Sequence, residues 1–415
     1  MEEGRADDMN QAHLQSWNNA PQARLSTTIV WLGAVSLLTA MSSAMVYGLL
    51  PVFLVKVLGA TTVVVGTLEG AAEATTSLMK LFSGAFSDRF GRRKPLLILG
   101  YTLSAFNKLL FPLAEAVSLV VIARIVDRIG KGIRDAPRDA LLTDITPSEI
   151  RGSGFGLRLA FYTTGFVTGP LAATALMSVS GDDFRLVFWV AVIPAFATIA
   201  ILLWAVRETS ARSSATNPWW PIRAADLGSF SSPFWWWIVV AGLLSLARFS
   251  QAFLVLKAYS VGVDAAYVPL IIALTHMVYA ITAYPFGILA DRLDRRIQLA
   301  GGIAVLIVAD LVLMRGASFE AAAVGAILWG LQLAVTQGLL AASIADAAPD
   351  TLRGTAFGIY ELAAGVAIFI ASATAGLLWV AGGAMLTFAA SACAAGIALL
   401  ALWIAPRHPS ASASG

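Results

Sequence analysis

The sequence predicts an all-α membrane protein of twelve transmembrane helices arranged as two parallel six-helix repeats, with both termini in the cytoplasm. Three observations carry this expectation: an apolar composition, apolar runs recurring between short polar loops, and a duplicated pair of loop motifs. Hydrophobic residues fill 58% of the 415 positions and charged residues 13%, against roughly 25% charge in an ordinary soluble domain. The mean hydropathy is +0.77. A bilayer span needs only about 20 mostly apolar residues, and runs such as Ile29–Ala44, Leu186–Trp204 and Ile303–Met314 carry one ionised side chain at most.

Residues 1–25 are polar and mixed in charge, without the basic start, apolar core and small-residue cleavage site of a signal peptide, so the first helix itself directs insertion. Reading apolar runs against Gly, Pro and charge gives helices near 28–55, 61–87, 95–114, 117–143, 154–178 and 186–206. A second set follows near 233–258, 267–290, 297–314, 319–345, 354–379 and 383–405. Between them Arg207–Ser232 is polar and holds Asn217-Pro-Trp-Trp-Pro221, and Trp235-Trp-Trp237 opens the next helix as an interfacial aromatic belt. The expected organisation is a tail 1–25, a bundle 26–206, a linker 207–232, a bundle 233–405 and a tail 406–415.

The net charge of +3 is not that of a nucleic-acid binder, because the basic residues stand in short loops. With a cytoplasmic amino terminus, Arg89, Arg92, Arg93, Lys94, Arg151, Arg207, Arg212, Arg223, Arg292, Arg295, Arg296, Arg353 and Arg407 fall on the inner side, and only Lys56, Arg185 and Arg315 on the outer. This asymmetry follows the positive-inside rule and places both termini in the cytoplasm; the bacterial cytoplasmic (inner) membrane is what the family resemblance given below implies. A single cysteine, Cys393, excludes an internal disulfide, and with only three histidines no metal site is expected. Gly130-Lys-Gly lacks the Gly-rich phosphate loop, so no nucleotide, cofactor or enzymatic reaction is expected.

An internal repeat is the strongest single feature. Gly84-Ala-Phe-Ser-Asp88-Arg89-Phe-Gly91-Arg92-Arg93 returns as Gly287-Ile-Leu-Ala-Asp291-Arg292-Leu-Asp294-Arg295-Arg296. Asp144-Ile-Thr-Pro147 with Arg151-Gly152 returns as Asp346-Ala-Ala-Pro349 with Arg353-Gly354. Both copies share one membrane orientation, so the halves are parallel repeats about an axis along the membrane normal, with a central cavity between them.

The segment Gly84–Lys94 resembles the loop signature of the major facilitator superfamily, G-x-x-x-D-R-x-G-R-R/K. The resemblance covers the whole chain: helix number, duplicated loop and linker. It implies alternating access by a monomer, with Asp88 and Asp291 as latches between the halves and Gly84, Arg89, Gly91, Arg92 and Arg295 as parts of the same gating motif. In the motif the glycine would allow close helix approach and the arginines would hold the loop at the anionic surface. Gly156, Gly165, Gly169 and Pro170 match the superfamily's antiporter signature, although Ala173 and Thr174 replace its last glycines. This half-match implies export by proton exchange. Relatives carry acids in the first helix, where this chain reads Thr39-Ala-Met-Ser42-Ser43-Ala44, so coupling is expected elsewhere or not at all.

The fourth helix is the most unusual stretch. Arg124, Asp127, Arg128, Lys131, Arg134, Asp135, Arg138 and Asp139 fall within an arc of roughly 140° over roughly 22 Å of helix. A midplane charge costs at least about 2.5–3.5 kcal/mol in lipid, so the stripe faces a cavity or another helix. Its cationic surplus suits an anionic substrate, and an internally paired ladder is the structural alternative. In the second helix Glu69 and Glu73 share one face and, with Asp127, are the candidates for proton coupling; pairing with Lys108 or the fourth-helix cations is the alternative. In the second half Arg248 and Gln251 share a face of the seventh helix and, with Arg124, Asp127, Arg128 and Ser43, are the candidate substrate contacts. The expected partners are a small-molecule substrate, the lipid bilayer and a proton or other coupling ion. The expected function is secondary transport of a small organic solute, by proton-coupled export. Import of an organic anion or metal chelate, and a transporter-like sensor or assembly factor, remain alternatives.

Overall fold

The computed structural model describes residues 26–206 and 224–404, apart from residues 91, 148–149, 291–292 and 350–351 and the side chains of residues 85, 88–90 and 224–225. The tail 1–25, most of the linker, Gly91, Asp291, the side chains of Asp88 and Arg89, and the tail 406–415 lie outside the described residues.

Regular structure among the described residues is helical throughout. In chain order the helices are α1 (Thr27–Tyr47), α2 (Thr62–Phe90), α3 (Lys94–Asn107), α4 (Val117–Ile145), α5 (Arg151–Ser180) and α6 (Phe184–Ala205). They continue as α7 (Ser232–Ala247), α8 (Ala252–Ser260), α9 (Leu270–Ala290), α10 (Arg295–Arg315), α11 (Phe319–Ala347) and α12 (Arg353–Ile404). The run α12 contains a kink at Gly382 and Gly383, where the two last expected helices meet. Gly383 has φ 66°, a left-handed conformation that a side chain would strain. Among the described residues eight helical segments can cross a membrane by length and composition. α2 and α4 fall outside that set because acidic and basic residues interrupt them, among them Glu69, Glu73, Arg124 and Asp127.

Two expected helices are discontinuous. The first, expected over 28–55, stops at Tyr47, resumes as a short turn Leu50–Val52 and ends in a π-helical turn Phe53–Val57. The seventh, expected over 233–258, is broken between Ala247 and Ala252, so Arg248 and Gln251 stand at an interruption and not on a helix face. Neighbouring side chains take over the backbone groups freed by this break. Ser250 N donates to Ser372 Oγ at 3.0 Å, Ala252 N donates to Ser250 Oγ at 3.2 Å, and Ser391 Oγ lies 2.6 Å from the Ala247 carbonyl. The expected helix 95–114 also ends early, at Asn107, and tightens into a 3₁₀ turn Lys108–Leu110.

In the first half α1 packs on α5 and α6, and α2 and α3 pack on α4; in the second, α7 packs on α12, α9 on α11, and α10 on α11 and α12. The halves meet through α2 with α12 and α5 with α9. Close approach is concentrated at glycines, as expected where lipid offers no hydrophobic drive for association. A Cβ on Gly165 would stand 2.4 Å from the Leu37 carbonyl, and one on Gly169 2.5 Å from that of Met41, so the antiporter-signature glycines seat α5 on α1. Gly84 does not act this way: its added Cβ would meet Ala136 at an ordinary 3.6 Å, and Gly287 faces open space. In each half an arginine of the first loop motif instead pairs with the aspartate of the second, Arg93 with Asp144 at 3.4 Å and Arg295 with Asp346.

Polarity is inverted relative to a soluble protein. Arg124 and Arg128 are 1% and 2% exposed, whereas Val179 and Trp204 are 81% and 83% exposed on the outer surface. Only a hydrocarbon surround makes that distribution favourable. Because Gly169 has no room for a side chain, Gly169→Val should lower stability by about 1–3 kcal/mol through overpacking. Gly156→Ala, with nothing within 4 Å, should be neutral. Thermal unfolding in detergent distinguishes the two, and equal melting temperatures would refute the seating role.

Candidate functional site

A cavity of about 590 Å³ lies between the halves, lined from α1, α2, α4 and α5 on one side and from the α7–α8 break, α9, α11 and α12 on the other. Its lining runs from Trp329, Ile272 and Tyr47 toward Lys80, Arg138 and Arg158, nearer the face that carries the duplicated loops. At the opposite face the halves touch: Thr62 Oγ1 donates to the Gly376 carbonyl at 3.3 Å, and a Cβ on Gly48 would meet Pro269 at 2.9 Å. Both helix interruptions stand beside the cavity, the first just after Tyr47 and the second at Arg248–Gln251.

The most buried ion pair among the described residues is bidentate. Arg124 Nε donates to Glu69 Oε1 at 2.9 Å and Arg124 Nη2 to Glu69 Oε2 at 2.7 Å, joining α4 to α2. The Tyr47 ring covers the Arg124 guanidinium at 3.6 Å and the Arg128 guanidinium at 4.5 Å, a cation–π arrangement that desolvation strengthens. From the other half, Ser250 Oγ lies 3.4 Å from Glu69 Oε2. One turn away Arg128 Nη1 meets half-buried Glu73 at 3.1 Å, which leaves Arg128 Nε and Nη2 without a protein partner. Asp127 Oδ1 and Arg248 Nε are likewise unpartnered, although Arg248 Nη2 donates to Thr336 Oγ1. Lys108 Nζ donates to Ser43 Oγ at 2.9 Å.

These contacts sort the expected site residues. Asp127, Arg128, Ser43, Glu69, Glu73, Arg248 and Gln251 all line the cavity. Arg124 does not: Glu69 and Tyr47 occupy its guanidinium. The charged stripe on α4 is neither wholly free nor an internal ladder. Toward the loop face Arg138 pairs with Asp135 at 3.0 Å and Asp139 at 3.1 Å, while Arg124 and Arg128 pair outward to α2. Across the halves Lys80 of α2 meets Glu361 of α12 at 2.5 Å. Seven cations on the lining, Lys80, Arg128, Lys131, Arg134, Arg138, Arg158 and Arg248, outnumber the four anions Glu69, Glu73, Asp127 and Asp135.

Sequence reasoning missed Tyr47, Ser250 and Trp329 as lining residues. The available signal was the repeat itself: Tyr47-Gly48 precedes Ser250-Gln251 by the same spacing that separates the two Gly-Asp-Arg loops, so the positions are counterparts. Gly165 and Gly169 belong to the α1–α5 contact and not to the cavity, and Arg92 is exposed at the loop face.

A helical membrane protein with a charged cavity between two similar halves is built as a carrier, and comparison with known proteins fixes its class. The family model of the Major Facilitator Superfamily matches residues 32–263 and 239–415. The chain belongs to that superfamily, whose members are multi-pass membrane transporters and not enzymes. It is similar to an uncharacterised MFS-type transporter of Methanocaldococcus jannaschii, 29% identical over 87% of this chain and 91% of that one. It is also similar to the multidrug resistance protein MdtH of Proteus mirabilis, 33% identical over 37% of this chain and 38% of that one. Among solved structures, the nucleoside transporter NupG superimposes with TM-score 0.78 at 12% identity, covering 91% of this chain and 98% of that one. The human organic anion transporter MFSD10 superimposes with TM-score 0.64 at 17% identity over 90% and 98%.

Breaking one partner of the Glu69–Arg124 pair strands a buried charge, which costs about 3–5 kcal/mol. Glu69→Gln and Arg124→Gln should each be strongly destabilised, and the double variant should regain most of the loss. Thermal unfolding of all four proteins measures the coupling; additive losses would mean that the two residues act independently.

Proposed function

We propose that the protein is a secondary active transporter of a small organic anion, working by alternating access between two six-helix bundles, twelve spans in all. The observation that carries this reading is the cationic surplus of the cavity, together with guanidinium nitrogens of Arg128 in the first half and Arg248 in the second that have no protein partner. A buried donor left unsatisfied is costly, and an anion bridging the halves would satisfy both groups at once. Lys131, also on the lining, adds attraction without a carboxylate partner among the described ion pairs. The fold likeness to an organic anion transporter agrees with this reading.

Proton-coupled export is the direction and energy source we favour. Glu69 is committed to Arg124, which leaves half-buried Glu73, paired with Arg128, and Asp127, whose Oδ1 has no partner, as the carboxylates we assign to proton exchange. The α1–α5 seating at Gly165, Gly169 and Pro170 and the partial similarity to a multidrug resistance protein favour export. Both termini are cytoplasmic in this reading, the membrane is the bacterial inner membrane, and the cavity is open toward the cytoplasm.

The test is transport by reconstituted protein in vesicles holding a pH-sensitive dye, screened with organic carboxylates and phosphates. Arg128→Gln and Arg248→Gln should each weaken an anionic substrate roughly ten- to a hundredfold, as loss of a charge-assisted bond worth about 1.5–3 kcal/mol predicts. A neutral analogue should be nearly unaffected. Glu73→Gln should abolish gradient-driven accumulation while sparing counterflow. Equal losses for charged and neutral solutes, or no proton movement with any transported anion, would overturn the reading. In a Cys393→Ala background, single cysteines replacing exposed Leu293 and Ser318 should label from opposite sides, Ser318 from outside; labelling from one side would refute the topology.

A further inference from the structure

Asp310 on α10 is 0% exposed and takes part in none of the ion pairs among the described residues. Its hydrogen-bond partners are both neutral. Trp329 Nε1 of α11 donates to Oδ1 at 3.4 Å, and Ser391 Oγ of α12 stands 2.5 Å from Oδ2. The same Ser391 Oγ stands 2.6 Å from the carbonyl oxygen of Ala247, the last residue of α7. That carbonyl has lost its helical partner because the chain breaks at Arg248–Gln251.

Counting hydrogens fixes the state of the carboxyl. A serine hydroxyl has one hydrogen, and a carbonyl or a carboxylate oxygen can only accept. If Asp310 were ionised, Ser391 could satisfy one of its two short contacts, and the other would set two oxygens face to face with nothing between them. A carboxylate without a cation would also be buried in the bilayer interior, at heavy cost. If Asp310 is protonated, every contact is a hydrogen bond: Oδ2–H donates to Ser391, Ser391 donates to Ala247, and Oδ1 accepts from Trp329.

We propose that Asp310 is a proton-binding site whose occupancy holds the break between α7 and α8, and through it the cavity residues Arg248, Ser250 and Gln251. Loss of the proton to water leaves a carboxylate that draws the Ser391 hydrogen to itself. The Ala247 carbonyl then has no donor, and the break rearranges. Among the described contacts no charged neighbour takes the place of the proton. Of the ionisable side chains on the packed elements, Arg248 after α7 donates to Thr336, Glu361 of α12 is bonded to Lys80, and Tyr360 lies near Arg248. On α11 the side chain facing Asp310 is Trp329, which separates it from the cavity. The repeat counterpart of Asp310 is Asn107, whose amide donates to the Ala123 carbonyl and cannot titrate, so the device belongs to the second half alone. Its role in coupling rests on the transport reading above; the protonation itself does not.

Infrared spectra of the full-length protein in lipid vesicles, with no substrate present, test the protonation. At neutral pH the wild type should show a deuterium-sensitive protonated-carboxyl band that Asp310→Asn removes and Ser391→Ala moves to higher frequency. Identical spectra for wild type and Asp310→Asn would overturn the site. If Asp310→Asn does not fold, the Ser391→Ala shift decides, and no shift overturns it. For the break, thiol labelling of Gln251→Cys in the Cys393→Ala background should differ severalfold in its pH dependence from the same protein with Asp310→Asn added, which keeps only the pH dependence of the thiolate itself. The same pH dependence in both proteins would refute the link to α7. Absence of proton flux during transport, with the band present, would sink the coupling reading and leave the proton site standing.

Discussion

The ion pair between Glu69 and Arg124 joins the parts on which the cavity depends. It crosses from α2 to α4, lies against Tyr47 where the first helix breaks, and has Ser250 of the second half within reach of the same carboxylate. A lone charge at this depth would be intolerable in hydrocarbon, so the pair locks α2 and α4 into one register. That register sets the next turn, where Arg128 is left partly unpaired and Asp127 stands on the lining. The buried pair thus acts as a frame, and the cationic character of the cavity is set by the neighbours it positions.

The two broken helices complete the site. A continuous helix consumes its own backbone groups and presents only side chains, whereas an interruption turns carbonyls and amides toward neighbours. Here the break after Ala247 is held by Ser372 and Ser391, hydroxyls on either side of the kink at Gly382 and Gly383 in α12. The segment that carries Arg248 and Gln251 is therefore fastened to α12, and α12 packs against α2 of the other half. The part of α12 before the kink, which carries Ser372 and meets α2 at Gly376, is joined to the break, and Ser391 beyond the kink joins the break to Asp310.

Much of this was legible in the amino-acid order. Apolar runs fixed nearly every helix because hydrocarbon forbids unsatisfied backbone, and the duplicated Gly84–Arg93 and Gly287–Arg296 loops revealed the repeat. The charged face of α4 was legible for the same reason, since eight ionised residues on one arc have nowhere to go but inward. Less legible was which of them pair. Arg124 and Arg128 are one turn apart on the same helix, yet Arg124 is consumed by Glu69 while Arg128 keeps two nitrogens free. Gly84, in a strong sequence motif, makes only ordinary contact, while Gly165 and Gly169 carry the tight helix crossing.

The sequence by itself determined the class of protein, the helices, the repeat and the sign of the buried charge, because these follow from the cost of placing polar groups in lipid and from local spacing along one chain. Only the tertiary structure decided that the first and seventh helices break beside the cavity, that Tyr47 covers two guanidinium groups, and that Asp310 meets Ser391 and Trp329 from separate helices. Those outcomes depend on which side chain of a distant helix reaches a given donor or acceptor, and periodicity along a single helix holds no record of the helix that will face it.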